Sequence, residues 1–302
     1  MSRLSAIALT GIHETAVQLR RGLAALFCCH HPENMVLAPG TTIALKTLLS
    51  GMEIKSLMLG PNEYCSEQHF APLTVSISTE EAMIRDIEMT RPEAVLLSIV
   101  SWQGKQFPLP SIFRQLRERF GDACPLLIAD YSHAGSIGFP EIDVLGADVV
   151  VGDLSKWVLI PGVADELCFL YPVSARIAAT CLTLFAPLFL ATTLNIDRSD
   201  RWVMPEQLER AAAWFSISKL SRESLLEQYQ RNRAMAFALA PNSKWSDPEV
   251  CILWFQDVTA IPTEIPEELL WPTQNGIRLM CREDVLGIQT QVGSGRWHTQ
   301  ES

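Results

Sequence analysis

The chain has 302 residues, of which 48% are hydrophobic and 19% charged, a composition typical of a globular protein with one large or two modest domains. Its formal net charge is −10. Because nucleic-acid affinity depends largely on clustered Lys and Arg, this charge argues against a nucleic-acid binder and favours a small-molecule partner.

The eight cysteines are scattered without the paired spacings of a metal site or a disulfide framework, so we expect a reduced, cytoplasmic chain and no metal. The short apolar patch at the N-terminus is interrupted by His13 and Glu14, which argues against an export signal. The apolar segment 177–194 carries four threonines and Pro187, which favours a buried helix or a subunit contact over a membrane span.

The first half of the chain alternates between two patterns. Apolar residues at helical spacing predict a first helix over 14–29, and "NMVLAPGTT" is typical of a short strand that ends in Pro-Gly. Further strands are predicted at 55–60, 93–100, 125–131 and 146–154, and further helices at 43–51, 78–90 and 109–121. Such alternation of apolar strands with amphipathic helices predicts an α/β fold with a mostly parallel sheet sandwiched by helices.

The pattern changes after Tyr171. Helices are predicted at 204–220 and 221–240, strands at 249–258 and 276–282, and a Pro-rich loop at 261–273. We therefore expect a large α/β domain over 1–200 and a small C-terminal α+β domain over 201–302.

Ligands of doubly wound sheets bind outside the carboxyl ends of the strands, so the polar residues there are the candidate site. Four clusters follow apolar runs, namely "PGTT" (39–42), "NEYCSEQH" (62–69), "DYSHAG" (130–135) and "GDLSK" (152–156). Taken singly, each has an ordinary alternative: "PGTT" could be a simple N-cap, Asp130 a turn cap, and Lys156 a solvated surface lysine.

Together the clusters match the needs of pyridoxal phosphate chemistry. Backbone N–H groups and hydroxyls at a helix start can hold a phosphate, and an aromatic ring at Tyr64 could stack on a pyridine. A lysine such as Lys156 can form a Schiff base with the cofactor aldehyde, while an aspartate such as Asp130 keeps the pyridinium nitrogen protonated. No Gly-rich dinucleotide or Walker motif follows a predicted strand, which weakens a nucleotide-binding alternative.

In this order the motifs resemble the class V aminotransferase superfamily of fold-type I pyridoxal phosphate enzymes, a group that includes cysteine desulfurases, kynureninases, isopenicillin N epimerase-like proteins and C–S lyases. The resemblance covers about 14–171 and rests on "NMVLAPGTTIALKTLL", "NEYCSEQHFAP", "LLIADYSHAGSIGFPEIDVLGADVVVGDLSKWVLIPG" and "ELCFLY". It implies a fold-type I transferase fold, pyridoxal 5'-phosphate as cofactor, an amino acid or amine as substrate, and a homodimer.

The resemblance also implies roles for individual residues. Lys156 would be the catalytic Schiff-base lysine, and the substrate carboxylate would pair with Arg278. The implied cofactor contacts are Asp130 with the ring nitrogen, His133 with the phenolic oxygen, Gly40, Thr41 and Thr42 with the phosphate, Tyr64 with the ring face, and Ser155 at a position that is often His.

Three departures from the family pattern stand out. Asp153 occupies a position that is often a phosphate-binding Ser, where a carboxylate would repel the phosphate. The loop before Arg278 lacks the cysteine that desulfurases use, so sulfur transfer by that route is disfavoured. The chain also begins near the helix before the phosphate loop, so we expect the usual N-terminal arm to be largely absent and substrate recognition to be unusual.

The sequence thus predicts a pyridoxal phosphate enzyme that carries out a C–S or Cβ lyase or transferase reaction. Amino-group transfer is one alternative. A degenerate, non-catalytic binding protein of the same fold is another, favoured by the short ends and by Asp153.

Overall fold

The computed structural model describes residues 3–38, 40–61, 63, 70, 73–79, 81–153, 156–158, 168–174, 177–185, 205–218, 220–239, 249–256, 259, 261, 270–273 and 276–282. The helices are α1 (Arg3–Phe27), α2 (Thr41–Gly51), α3 (Met83–Thr90), α4 (Leu109–Phe120), α5 (177–185), α6 (Pro205–Ile217) and α7 (Arg222–Leu239). The strands are β1 (Val36–Ala38), β2 (Ser56–Leu59), β3 (Thr74–Ile77), β4 (Ala94–Ser98), β5 (Leu126–Asp130), β6 (Val149–Asp153), β7 (Cys168–Pro172), β8 (Ile252–Phe255), β9 (Leu270–Thr273) and β10 (Gly276–Met280).

The larger sheet has seven strands in the order β1-β7-β6-β5-β4-β2-β3. Strand β7 runs antiparallel to both of its neighbours, β1 and β6, while the pairs from β6 to β3 are parallel. The mostly parallel sheet predicted from the apolar strands is therefore confirmed. Strand β3 was not predicted, because at the sheet edge its residues stay exposed or half-buried and form no apolar run.

Helices cover both faces of this sheet, which explains why its central strands are apolar throughout. Neighbouring residues of β6 point to opposite sides: Val150 joins the cluster formed with α1 and α4, whereas Val149 and Val151 join the one formed with α2 and α5. Helix α1 begins at Arg3, earlier than the expected 14, because the strong helix formers that precede His13 extend it.

The apolar segment 177–194 is described only as far as α5. Within α5, Cys181 and Phe185 are fully buried in the core beside α2, as expected of a buried helix. None of the described helices is long and apolar enough to cross a membrane.

The smaller sheet has three antiparallel strands in the order β8-β10-β9. Strand β9 lies at the end of the segment 261–273, which the sequence predicted to be a loop, so that prediction is wrong for Leu270–Thr273. The proline content suggested a loop, but Pro272 lies on an edge strand, where its missing N–H can be tolerated.

The smaller sheet packs at the carboxyl edge of the larger one. The N–H of Cys251, just before β8, donates to the carbonyl of Ser136 in the turn after β5 (2.9 Å). Gly104, in the loop after β4, has φ +85°, and a Cβ there would lie 2.7 Å from the carbonyl oxygen of Ile252. The two sheets therefore meet where the strands β4 and β5 end. The predicted division at residue 200 stays a prediction.

Candidate active site

The strand register brings the chemically reactive segments together at one edge of the larger sheet. Ser98 at the end of β4 pairs with Asp130 at the end of β5, and Asp130 pairs with Val151 of β6. On the other side, Asp153 at the end of β6 pairs with Cys168, the first residue of β7. Because β7 is antiparallel, its beginning lies beside the carboxyl ends of its neighbours.

Helix α2 begins at this same edge and offers an anion site. Its N-cap, Gly40, has φ +142°, a conformation that residues with a side chain rarely adopt. The first turn contains the hydroxyls of Thr41 and Thr42 and no acidic residue, and Thr41 Oγ1 lies 3.9 Å from Cys168 Sγ. The unbonded N–H groups of a helix start attract anions. The structure thus places the "PGTT" helix start beside the end of β6.

Asp130 is held by its own turn at the end of β5. Its Oδ1 accepts a hydrogen bond from the N–H of Ser132 (2.8 Å), so the turn-capping role weighed from the sequence is present. The residue remains half-buried. Among the described residues, the buried hydroxyl of Ser132 has no hydrogen-bond partner, which leaves a polar group at the site for a ligand to satisfy.

Lys156 is a mostly buried residue rather than a solvated surface lysine. Its side chain is 20% exposed, and its Nζ lies 3.9 Å from Oδ2 of Asp153. The carbonyl of Lys156 accepts a hydrogen bond from Nη1 of Arg282, just after β10 (2.6 Å). The carboxylate of Asp153 therefore faces the lysine amine, and the lysine backbone is tied to the smaller sheet.

His133 lies in a buried cluster of aromatic and cationic side chains. Trp157 Nε1 donates to His133 Nδ1 (3.4 Å), and the imidazole ring centroid lies 5.9 Å from that of Trp102. Nη2 of Arg278 lies 3.0 Å from Nε2 of His133. Nη2 of Arg278 also lies 3.3 Å from Nδ1. Since indole and guanidinium can only donate and a neutral imidazole has one accepting nitrogen, Nδ1 can accept from both side chains while Nε2 carries the proton.

Electrostatics at the site agree with a neutral imidazole. Burial, followed by the positive charges of Arg278 and Lys156, holds the pKa of His133 well below its usual range. Burial and then the carboxylate of Asp153 raise the pKa of the Cys168 thiol far above its usual range. At neutral pH His133 is therefore an uncharged hydrogen-bonding group, and Cys168 is a thiol rather than a nucleophilic thiolate.

Arg278 comes from the smaller sheet and reaches the same cluster. It is 0% exposed, and its guanidinium carbon lies 3.9 Å from the centroid of Trp102. Arg278 is therefore a buried residue on the central strand of its sheet and not an exposed arginine at a sheet edge. Its proposed role towards a substrate carboxylate stays a prediction.

Two predicted site residues, Tyr64 and Ser155, lie outside the described residues. The structure adds Glu63, Trp102 and Arg282, to which the sequence assigned no role. Glu63 and Trp102 follow the apolar strands β2 and β4, so the strand-end rule could have found both. Arg282 carried no such signal, because its contact with Lys156 depends on how the smaller sheet packs.

No family model and no curated protein matches the sequence, but the fold matches known structures. Alanine–glyoxylate aminotransferase from Nostoc sp. has 12% sequence identity and a TM-score of 0.64, with coverage of 93% of this chain and 87% of that one. The cystine C–S lyase C-DES has 15% identity and a TM-score of 0.64, with 95% and 92% covered. A PLP-bound putative aminotransferase from Clostridium difficile 630 has 14% identity and a TM-score of 0.60, with 94% and 86% covered.

These likenesses extend over nearly the whole length of each pair of chains, and at such low identity they describe the fold. The chain therefore has the fold of the fold-type I pyridoxal phosphate-dependent transferases, as its sequence predicts.

Proposed function

We propose that this chain is a pyridoxal phosphate-dependent enzyme that acts on an amino acid or an amine. The observation that carries the proposal is the convergence of Asp130, Lys156 and the start of α2 at one sheet edge. A ring nitrogen, an aldehyde and a phosphate are the three groups of this cofactor that a protein must hold. A fold match to a PLP-bound enzyme adds support.

The described residues fit the three groups. The helix start with Thr41 and Thr42 would bind the phosphate, and the carboxylate of Asp130 would accept a hydrogen bond from the protonated ring nitrogen. His133 would bond the phenolic oxygen through its imidazole, which the structure keeps uncharged. The hydroxyl of Ser132, two residues after Asp130, has no partner among the described residues and would gain a hydrogen bond to the cofactor.

Lys156 would perform two tasks through its Nζ. It would condense with the cofactor aldehyde, releasing water, and after the substrate amine replaced it, it would take a proton from the substrate α-carbon or return one. When bound, the cofactor supplies an electron sink for the charge left on that carbon. The nearby carboxylate of Asp153 would stabilise the lysine while it carries the proton.

The reaction we propose is cleavage or transfer at a carbon bond, C–S or Cβ, and the C–S lyase among the matched folds supports it. Amino-group transfer is the second candidate, supported by the aminotransferase matches. Arg278 would pair with the substrate carboxylate. We further propose a cytoplasmic homodimer, in keeping with the resemblance described above.

The opposing hypothesis is a non-catalytic member of the fold, and Asp153 favours it, because its carboxylate lies 3.9 Å from the amine of Lys156 at the edge where a phosphate would bind. Absorbance spectroscopy with added pyridoxal phosphate decides between the two. We expect wild type to develop the visible band of covalently bound cofactor, Lys156→Ala to lack it, and the exposed control Lys105→Ala to keep it. Wild type without the band would contradict the proposal.

Product analysis separates the two reactions. A keto acid and ammonia released from an amino acid alone would indicate elimination, whereas a keto acid formed only when a second keto acid accepts the amino group would indicate transamination.

A further inference from the structure

A second carboxyl group, that of Glu63, lies at the end of β4. Its Oε1 accepts a hydrogen bond from the N–H of Ser98 (2.6 Å), and its Oε2 accepts one from the Ser98 hydroxyl. Ser98 pairs with Asp130 across the β4–β5 ladder. The two carboxyl groups are therefore fixed at the ends of neighbouring strands.

The backbone at Gly60, directly after β2, leaves room for the Glu63 carboxyl. A Cβ at position 60 would lie 2.9 Å from Oε1 of Glu63 and 2.9 Å from Cδ2 of Leu97. Any side chain there would push the carboxyl away from Ser98. The position of Glu63 thus depends on two neighbouring strands and not on a single flexible contact.

The environment favours the uncharged form of this carboxyl. Burial, and secondly the negative charge of Asp130, raise the pKa of Glu63 to about 8, although the hydrogen bonds from Ser98 act in the opposite direction. Among the described residues, Lys156, Asp153, His133 and Cys168 are further charged or titratable groups along this edge. None of these four is among the groups that shift the pKa of Glu63.

We propose that Glu63 is a positioning residue that acts through Asp130: its two bonds to Ser98 fix the end of β4, which pairs with Asp130 where that residue would face the cofactor ring nitrogen. This inference rests on the proposed function. Ionisation of Glu63 would place a second negative charge beside Asp130, and the ring nitrogen would then hold its proton more tightly. The pair of carboxyl groups thereby makes the negative charge beside the ring nitrogen, and with it the affinity of that nitrogen for its proton, dependent on pH just above neutrality.

The first experiment uses the full chain without added cofactor. The side-chain carboxyl carbon of Glu63, labelled with ¹³C and assigned by its loss in Glu63→Gln, is followed by NMR as the pH is raised. We expect a midpoint near 8 that moves to lower pH in Asp130→Asn, because that substitution removes the neighbouring negative charge. A Glu63 carboxyl that is not coupled to Asp130 would keep its midpoint in Asp130→Asn.

The second experiment follows the visible absorbance of bound cofactor against pH in three proteins. Wild type and the exposed control Glu81→Gln should share an alkaline change that Glu63→Gln lacks, while all three agree at neutral pH. A Glu63 carboxyl that ionises in the ordinary acidic range, or one whose midpoint ignores Asp130→Asn, overturns the inference. Failure of wild type to bind the cofactor overturns the proposed function instead. It shows as a missing visible band, whereas the NMR titration of Glu63 needs no cofactor.

Discussion

The carboxyl edge of the seven-stranded sheet and the smaller three-stranded sheet contribute to the site in different ways. At the first, strand register alone aligns Ser98, Asp130 and Asp153. From the second, Arg278 and Arg282 reach His133 and the backbone of Lys156. In the proposed function the larger sheet would therefore provide the groups for the chemistry, and the smaller sheet would hold two of them in place.

The two arginines explain how one small element can control both halves of the site. Arg278 lies on β10 and Arg282 two residues after its end, and both side chains reach the larger sheet. One contacts the imidazole that would bind the cofactor ring, and the other the backbone of the lysine that would bind its aldehyde. Substitutions in the larger sheet should thus mainly affect the reaction rate. Substitutions in the smaller sheet should mainly affect the stability of the fold and the alignment of His133 and Lys156.

The largest effect is expected from Asp130→Asn, which keeps the shape of the side chain but removes its charge. Loss of one preorganised electrostatic group at an active site costs about 100- to 1000-fold in kcat. Turnover of an amino acid that wild type consumes measures the effect, with the exposed Asp122→Asn as control. Equal rates in the two variants would place the chemistry elsewhere.

Arg278→Ala should lower the free energy of unfolding by about 3 kcal/mol, because it empties a buried space and removes the stacking on Trp102. Urea denaturation measures the change. Arg114, whose side chain is 71% exposed, provides the control Arg114→Ala, expected to change stability by less than about 0.5 kcal/mol. Similar losses in both variants would mean that the smaller sheet does not depend on this contact.

A smaller loss of stability is expected at Gly135, in the turn after β5, which packs against Trp157, the residue next to Lys156. A Cβ at Gly135 would lie 2.3 Å from Cβ of Trp157, so Gly135→Ala should cost about 1–3 kcal/mol and shift the tryptophan fluorescence. At Gly22 the same addition meets Phe215 at an ordinary 3.4 Å, so Gly22→Ala in α1 should be neutral or slightly stabilising. Unchanged fluorescence in Gly135→Ala would contradict the packing described for Trp157.

The same contrast explains how much the sequence could predict. The central strands of the larger sheet can be predicted because they are apolar runs in the sequence. The polar residues at or just after their ends include Asp130 and Lys156. Strand β3 was missed because an edge strand is half-exposed, and β9 because its proline suggested a loop.

Residues whose roles depend on contacts between elements could not be inferred in this way. Glu63 belongs to the polar cluster "NEYCSEQH" (62–69), yet its link to Asp130 arises only through the β4–β5 register and the space left by Gly60. The bond from Arg282 to the Lys156 carbonyl joins residues 126 positions apart. Neither periodicity nor spacing in a single sequence carries that information.

The central claim, that Lys156 forms the covalent link to pyridoxal phosphate, is tested most directly by borohydride reduction of the protein with bound cofactor. Reduction makes the linkage permanent, and peptide mass spectrometry then locates the added mass. We expect the cofactor mass on the peptide that contains Lys156 and no such modification in Lys156→Ala. Labelling of a different lysine, or equal labelling in Lys156→Ala, would contradict the claim.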